Sequence, residues 1–131
     1  MKTNFKWEQR SRVDDKRERK AEAESNWRKV CAAVTKREAS HCRVSGVRVD
    51  PNAPDMLRRG EHHHVVFRSA GGEDTTANVI LVSLEVHKAI HAGRIQVEGN
   101  GDTGISIWRR GDDGTMYLSI RETSPNVVER D

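Results

Sequence analysis

Apolar residues between positions 25 and 40 recur with the period of an α-helix. Trp27, Val30, Cys31 and Val34 follow the i, i+3, i+4, i+7 spacing that places side chains on one helix face. Ser25 stands just before this pattern and is a suitable N-cap. The spacing therefore predicts a helix that begins at Ser25 and buries one face, with Cys31 as a core residue.

The next part of the chain has the composition of a turn, a strand and a loop. A surface turn is predicted over 50–55, where two prolines stand among turn-forming residues. The segment 57–67 is expected to be extended, because its last residues, 65–67, have high β-propensity. A polar, glycine-rich loop follows over 69–77.

After this loop the apolar period is first that of a helix and then that of strands. A helix is expected to begin near Ser83 and to end before Gly93, which suits the C′ position. Beyond Gly93, apolar and polar residues alternate in three segments separated by glycine-containing turns, which predicts an antiparallel β-meander. The alternating apolar residues are Ile95, Val97, Ile105, Ile107, Met116, Leu118 and Ile120. The segment 123–131 has no periodicity and is expected to be a loose tail.

The first 24 residues differ from the rest of the chain in composition. Acidic and basic residues alternate densely there, and Phe5 and Trp7 are almost the only large apolar side chains. Such charge runs usually face solvent, so we expect a solvated, partly helical arm in preference to a dedicated nucleic-acid arm. Over the whole chain the net charge is +3, which permits a polyanionic partner without requiring one.

Composition also excludes several classes of protein. No segment approaches the roughly 18 consecutive apolar residues of a membrane span. Two cysteines are too few for a disulfide scaffold or a four-cysteine zinc site. The charged first residues lack the apolar segment of a signal peptide. We therefore expect a cytoplasmic protein with one small core and no association with membranes.

Histidines are concentrated in two clusters that can carry chemistry. The first cluster is the consecutive run 62–64, and the second is the pair His87 and His91 in the predicted helix. A spacing of four residues lets one helix supply two ligands to a metal ion. Side chains alternate along a strand, so His63 is expected to point away from its two neighbours. One histidine of the run can then bind metal while an adjacent one acts as general base.

These segments together resemble the HNH endonuclease family, the ββα-metal nucleases, and in particular its small bacterial and phage members. The resemblance rests on the sequence Glu61–Gly72, on Asn78, and on the His87-x-x-x-His91 pattern, which occur in the family's order and spacing. It covers roughly residues 27–93 and implies metal-dependent hydrolysis of DNA phosphodiester bonds.

The resemblance also implies an architecture of the α+β class. A ββα-metal core is expected over 25–93, and it includes a preceding helix. The β-meander over 94–122 is expected to pack on that core. The charged arm of 1–24 and the tail of 123–131 are the two remaining segments.

Individual roles follow from the same resemblance. His64 corresponds to the general base that activates water, and Asn78 to the residue that braces the loop and orients this base. Arg68 corresponds to a basic residue that lies near phosphate. The expected ligands of one divalent metal ion, which would stabilise the leaving group, are His63, His87 and His91.

One feature departs from the family's pattern. Many members hold a structural zinc ion with two C-x-x-C knuckles, but the segment 42–45 has only its first cysteine and 83–86 has none. We therefore expect no structural zinc. Burial of Leu84, Val86 and the meander is expected to take its place, at about 1.5–3 kcal/mol per large aliphatic side chain.

The expected partner is DNA, in the first place double-stranded DNA, contacted through its phosphates by basic residues around the site. These residues are Arg58, Arg59, Lys88 and Arg94. Three imidazoles suit Zn, Ni, Mn or Co better than Mg, which prefers oxygen ligands. The sequence leaves open both the choice among these metals and whether the protein is a monomer or a homodimer.

Two other functions fit parts of the pattern. A catalytically silent nucleic-acid-binding module can keep the same scaffold, but it has no need of a base at His64 together with Asn78. A metalloprotease is set aside, because Lys88 follows His87 at the position where the H-E-x-x-H motif has its general-base Glu.

Overall fold

Within residues 5–124 and 127–130, which the computed structural model describes, two helices and six strands form around one hydrophobic core. In chain order they are α1 (Phe5–Arg37), β1 (Gly60–His64), β2 (Val79–Ser83), α2 (Leu84–His91), β3 (Ile95–Asn100), β4 (Gly104–Arg110), β5 (Met116–Ser124) and β6 (Val127–Arg130). The strands form a two-stranded sheet, β1–β2, and a four-stranded sheet in the order β3–β4–β5–β6. The α+β class predicted from the sequence is confirmed.

The first helix is longer than the sequence predicts. α1 begins at Phe5, so the expected N-cap at Ser25 is wrong: this residue lies inside a continuous helix. The physical reason is that the charged arm is rich in Lys, Arg, Glu and Ala, which have high helix propensity. Its described side chains, 12–24, are exposed, whereas Val30 and Val34 pack in the core. Cys31, expected to be a core residue, is only partly buried, because it lies about 60° around the helix from Val34, at the edge of the buried face. Residues 1–4 of the arm lie outside the described residues.

The strand expected over 57–67 is shorter than predicted. β1 ends at His64, and Val66 instead has both backbone groups bonded to the side chain of Asn78. Leu57 lies in the preceding turn, where its side chain is 90 % exposed. β1 pairs antiparallel with β2, and the first four residues of β2, Val79 to Val82, are completely buried. The predicted turn over 50–55 and loop over 69–77 are both present, the loop containing a short 3₁₀ turn at Arg68–Ala70.

The helix α2 has the predicted boundaries, because both ends are capped as the sequence indicates. The Ser83 Oγ accepts a hydrogen bond from the backbone N–H of Val86 at 3.1 Å. Gly93 follows the helix with a φ of +75°, the left-handed conformation that favours glycine at C′. α2 packs on both β1 and β2, so these three elements are adjacent in space as well as in sequence.

The meander is also confirmed, with one addition. β3, β4 and β5 pair in sequence, and their inward residues Ile95, Val97, Ile105, Ile107 and Ile120 are buried in the same core as α1 and β2. The tail expected to be loose includes the end of β5 and the strand β6, which pairs with β5. Backbone pairing at a sheet edge requires no apolar period, which is why the sequence pattern does not indicate β6. Residues 125, 126 and 131 lie outside the described part.

A buried network of charges joins the end of α1 to the meander. The Arg43 guanidinium lies 2.8 Å from a carboxylate oxygen of Glu38 and 2.8 Å from one of Glu122, and all three side chains are at most 8 % exposed. Arg43 follows Cys42, which is buried, and the backbone N–H of Ser45 lies 3.4 Å from the Cys42 Sγ. These contacts and the buried Val86 stabilise the part of the core that includes the segments 42–45 and 83–86. In the described residues, neither helix has an apolar stretch that is long enough to cross a membrane.

Candidate metal and catalytic site

Three histidines that are distant in sequence form one cluster. His63 projects from β1 toward α2, whose residues His87 and His91 lie on one face because they are four positions apart. Each histidine offers a ring nitrogen, and these three atoms lie within 4.8 Å of one another. His63 is only 3 % exposed, whereas His91 is at the surface, so the cluster is open on one side.

The protonation of this cluster suits metal coordination. Burial, together with the neighbouring rings of His87 and His91, lowers the pKa of His63 to about 4. Burial also lowers the pKa of His87 below its ordinary value. A lowered pKa keeps an imidazole neutral at neutral pH, which leaves a lone pair free for a metal. The His87 Nδ1 is buried without a hydrogen-bond partner among the described residues, a cost that coordination would remove. The cluster can therefore hold a metal ion.

An aromatic side chain closes one side of the cluster. The ring of Phe67 stacks on His91 with centroids 5.3 Å apart and meets His63 edge to face at 5.6 Å. Phe67 also lines a mostly apolar cavity of about 540 Å³ between the cluster and the meander. The two imidazoles are therefore held in place by packing as well as by the elements that carry them.

His64, the next residue of β1, points to the opposite side of the strand and contacts α1. Its ring stacks on Trp27, with centroids 5.0 Å apart and an interplanar angle of 11°. Its Nε2 lies 2.7 Å from Oδ1 of Asp74, which belongs to the glycine-rich loop. Because a carboxylate only accepts hydrogen bonds, Nε2 carries the proton and Nδ1 of the neutral ring has the lone pair.

Arg68 lies beside this pair instead of projecting alone toward solvent. Its guanidinium donates to both oxygens of Asp74, at 3.0 and 3.1 Å, and its Cζ lies 4.7 Å from the ring centre of Trp27. Burial acts to raise the pKa of Asp74, but the hydrogen bonds from Arg68 and His64 outweigh it and lower that pKa below the ordinary value. Asp74 is therefore an anion at neutral pH. The sequence interpretation missed both Asp74 and Trp27 as parts of the site.

Asn78 links the two ends of the loop that carries Asp74. Its side chain accepts from the backbone N–H of Val66 at 2.8 Å and donates to the carbonyls of Val66 and Glu73, both at 3.0 Å. The same closure requires glycine at position 72, where a Cβ would lie 1.7 Å from the carbonyl oxygen of Val66. Because Asn78 holds the carbonyl of Glu73, the closed loop also fixes the position of the next residue, Asp74.

The remaining histidine of the run has a structural environment. His62 lies on the same side of β1 as His64, and its Nε2 is 2.9 Å from Oγ1 of Thr35 in α1. Burial lowers the pKa of His62 below its ordinary value. The alternation expected for 62–64 is therefore present, with His63 alone facing α2.

The four basic residues expected to contact DNA do not form one continuous group. Arg58, Lys88 and Arg94 are exposed, and Arg59 forms an ion pair with Glu61 at 3.1 Å. Arg94 lies in a groove of about 640 Å³ that is also lined by Arg48, Arg109 and Arg110, whereas Arg58 and Lys88 do not line it. The sequence pattern did not single out these three further arginines, since their proximity depends on how the meander packs.

Comparison with known proteins adds nothing to this geometry: no protein-family model, curated protein or solved structure matches the chain.

Proposed function

We propose that this chain is a metal-dependent endonuclease of the HNH type that hydrolyses phosphodiester bonds of DNA. One observation carries the proposal. Consecutive residues of β1 supply both a member of a three-histidine cluster, His63, and a histidine oriented by a carboxylate, His64. Consecutive Cα atoms are about 3.8 Å apart, so both groups belong to the same end of β1, although their side chains leave opposite faces of the strand. The resemblance of the sequence to that family supports the same assignment.

The cluster His63, His87 and His91 would hold one divalent ion. When bound, such an ion supplies Lewis-acid stabilisation of negative charge on the phosphate and on the leaving oxygen. The donor set consists of three imidazoles, which favours Zn, Mn, Ni or Co over Mg.

His64 is the proposed general base. Asp74 accepts the Nε2 proton and Trp27 stacks on the ring, so the imidazole is held in one tautomer and one orientation. The Nδ1 lone pair then takes a proton from a water molecule as this water attacks phosphorus, and Asp74 stabilises the imidazolium that results. The bond between phosphorus and the leaving oxygen breaks on the opposite side.

Two residues position this base. Asn78 closes the loop that carries Asp74, and Arg68 binds both oxygens of that carboxylate. The Arg68 side chain is still 57 % exposed, so its outer face remains available to a phosphate oxygen of the substrate.

The test is cleavage of a supercoiled plasmid by protein dialysed against EDTA and then supplied with single divalent metals. We expect conversion to nicked or linear DNA with at least one metal, and none in EDTA. His64→Ala should lose about 10²–10⁴ in rate while it keeps its metal content and DNA affinity, because the base acts in the transition state.

The matched control is His41→Ala, which removes an exposed histidine outside the site. It should cleave like the wild type. A His64→Ala variant with near wild-type turnover would contradict the role of the base. A wild-type protein that binds DNA but does not cleave it with any of the metals tested would support the alternative, a catalytically silent binding module.

A further inference from the structure

The charges on the projecting half of α1 are sorted by helix face. Arg12, Lys16 and Lys20 follow one another at intervals of four residues, and we call this set the basic stripe. The acidic residues Asp14, Glu18 and Glu22 have the same spacing two positions later. All six side chains are exposed. Two residues correspond to about half a turn, so the two sets lie on opposite sides of the helix.

The basic stripe continues the face of α1 that packs on the core. Lys20 precedes Trp27 by seven residues, which is nearly two full turns, so both side chains lie within about 20° of one direction. Lys16 and Arg12 lie within about 20° and 60° of that direction, and Glu18 is about 180° away. Among the described residues of the arm, Glu24 is the one acidic side chain on this face.

The same face contacts the proposed catalytic site. Trp27 stacks on His64 and lies beneath Arg68, so the basic stripe is on the side of α1 that faces His64. At about 1.5 Å per residue, the stripe extends from about 10 Å to about 22 Å beyond Trp27 along the helix axis. Its charges recur about every 6 Å along the helix axis, close to the rise of about 6.8 Å that two phosphate steps of one strand make along the duplex axis.

Composition alone favours a merely solvated arm, but the sorting of its charges by helix face points to a binding role. We propose that the basic stripe binds the phosphates of the DNA duplex that flanks the scissile bond, as a second contact outside the catalytic core. The inference rests on the proposed function for the identity of the substrate. Continuity of the stripe with the face that reaches His64 favours the substrate itself over a separate acidic protein. The acidic side faces away from the duplex, so α1 presents only one face to DNA.

The test compares two triple variants of α1 that remove the same charge. The stripe variant is Arg12→Gln, Lys16→Gln and Lys20→Gln. The control variant is Arg28→Gln, Lys29→Gln and Lys36→Gln, which changes exposed residues that lie about 100° or more from Trp27. Binding of each protein to a labelled DNA duplex is measured in EDTA by fluorescence anisotropy over a range of salt concentrations.

We expect the stripe variant to bind at least about tenfold more weakly at low salt. The slope of log affinity against log salt concentration should decrease in magnitude by about 3, because each lost phosphate contact removes about 0.9. The control should change affinity less than about twofold. Lys16→Arg with Lys20→Arg keeps the charge and should bind like the wild type. Circular dichroism checks that α1 remains helical in every variant.

Equal losses in the stripe and control variants would overturn the inference, since they would show only an effect of net charge. A stripe variant that binds DNA normally but changes from dimer to monomer in sedimentation would also overturn it, in favour of pairing between opposite stripes of two copies.

Hydrolysis of bis(4-nitrophenyl) phosphate separates this inference from the proposed function. The stripe variant should retain wild-type turnover on this small diester while it loses plasmid cleavage. If the wild type hydrolyses neither substrate, the nuclease proposal fails, and the binding measurements still decide whether the stripe contacts DNA.

Discussion

The Asp74 carboxylate lies 2.7 Å from Nε2 of His64, although the two residues belong to a loop and a strand. This contact fixes the tautomer of the imidazole, and the ion pair of Asp74 with Arg68 keeps the carboxylate charged. The loop between β1 and β2 is thereby part of the proposed catalytic site and not only a connection.

Removal of this carboxylate should therefore slow the chemical step without preventing substrate binding. We predict that Asp74→Ala lowers kcat about 10–10²-fold with little change in KM, a smaller loss than the 10²–10⁴ expected for His64→Ala. Steady-state kinetics on plasmid DNA provide the measurement. Glu73→Ala changes the exposed neighbouring carboxylate and should leave kcat unchanged. Equal kcat values for Asp74→Ala and the wild type would show that Asp74 does not orient the base.

The ligand role of His91 predicts a defect that metal can correct. His91→Ala removes one of the three ring nitrogens but leaves His64 and Asp74 in place. We expect activity to fall at low metal concentration and to recover, at least partly, as the concentration is raised, because lost coordination is a defect of affinity. His64→Ala should not respond to added metal.

Titration of activity with metal distinguishes these two defects. Glu85→Ala, an exposed substitution on the same helix, is the control and should titrate like the wild type. If His91→Ala also titrates like the wild type, His91 is not a ligand and only His63 and His87 bind the metal.

The parts of this site that depend on local spacing could be predicted from the sequence. His87 and His91 share a helix face because of their separation, and His63 points away from His64 because strands alternate. The boundaries of α2 follow from Ser83 and Gly93, whose capping roles are properties of single residues.

Contacts between distant segments could not be predicted in this way. Asp74 is one of several polar residues in its loop. The closure made by Asn78 and a hydrogen bond from the Asn26 side chain to the Asp74 carbonyl bring it to His64. The sequence singles out Arg68, yet its pairing with Asp74 depends on that same closure. The full length of α1 could not be predicted, because its charged half has no apolar period and its helicity rests on the high helix propensity of its residues.

The buried charge network should contribute strongly to stability. Arg43→Met leaves Glu122 buried without its cationic partner and Glu38 paired with Arg37 alone, so we predict a loss of about 3–5 kcal/mol in the free energy of unfolding. Urea denaturation measures this value. Arg59→Met breaks a largely exposed ion pair with Glu61 and should cost less than about 1 kcal/mol. Similar costs for both variants would contradict a special role of the buried network.

The closed conformation of the loop between β1 and β2 should depend on Gly72 more than on Gly71. In Gly72→Ala the new Cβ would overlap the carbonyl oxygen of Val66, so the loop must open and the three hydrogen bonds of Asn78 are disrupted. At about 0.5–1.5 kcal/mol per bond, we predict a loss of about 2–4 kcal/mol and a large decrease in activity.

Gly71→Ala is the matched control for that loop. Gly71 has a φ of +88°, but no atom lies within 4 Å of the added Cβ, so only backbone strain of about 1–2 kcal/mol is expected. Thermal unfolding and plasmid cleavage measure both variants. A Gly71→Ala variant more damaged than Gly72→Ala would contradict the predicted overlap with Val66.

The reactivity of the Cys31 thiol should depend on the charge of Asp74, which lies in the loop between β1 and β2. Burial and the negative charge of Asp74 raise its pKa from 9.0 to about 11, while Arg68 acts in the opposite direction. Because only the thiolate reacts, the rate of alkylation by iodoacetamide at pH 8 should be about 100-fold lower than in the urea-unfolded chain, and it should rise as the pH approaches 11.

Asp74→Asn removes one of the two causes of the raised pKa and should speed alkylation of Cys31, whereas Glu73→Gln should not. Alkylation is followed by mass spectrometry of peptides, which separates Cys31 from the buried Cys42. If Cys31 reacts at the unfolded rate in the native protein, neither burial nor the charge of Asp74 protects the thiol, which would contradict the prediction.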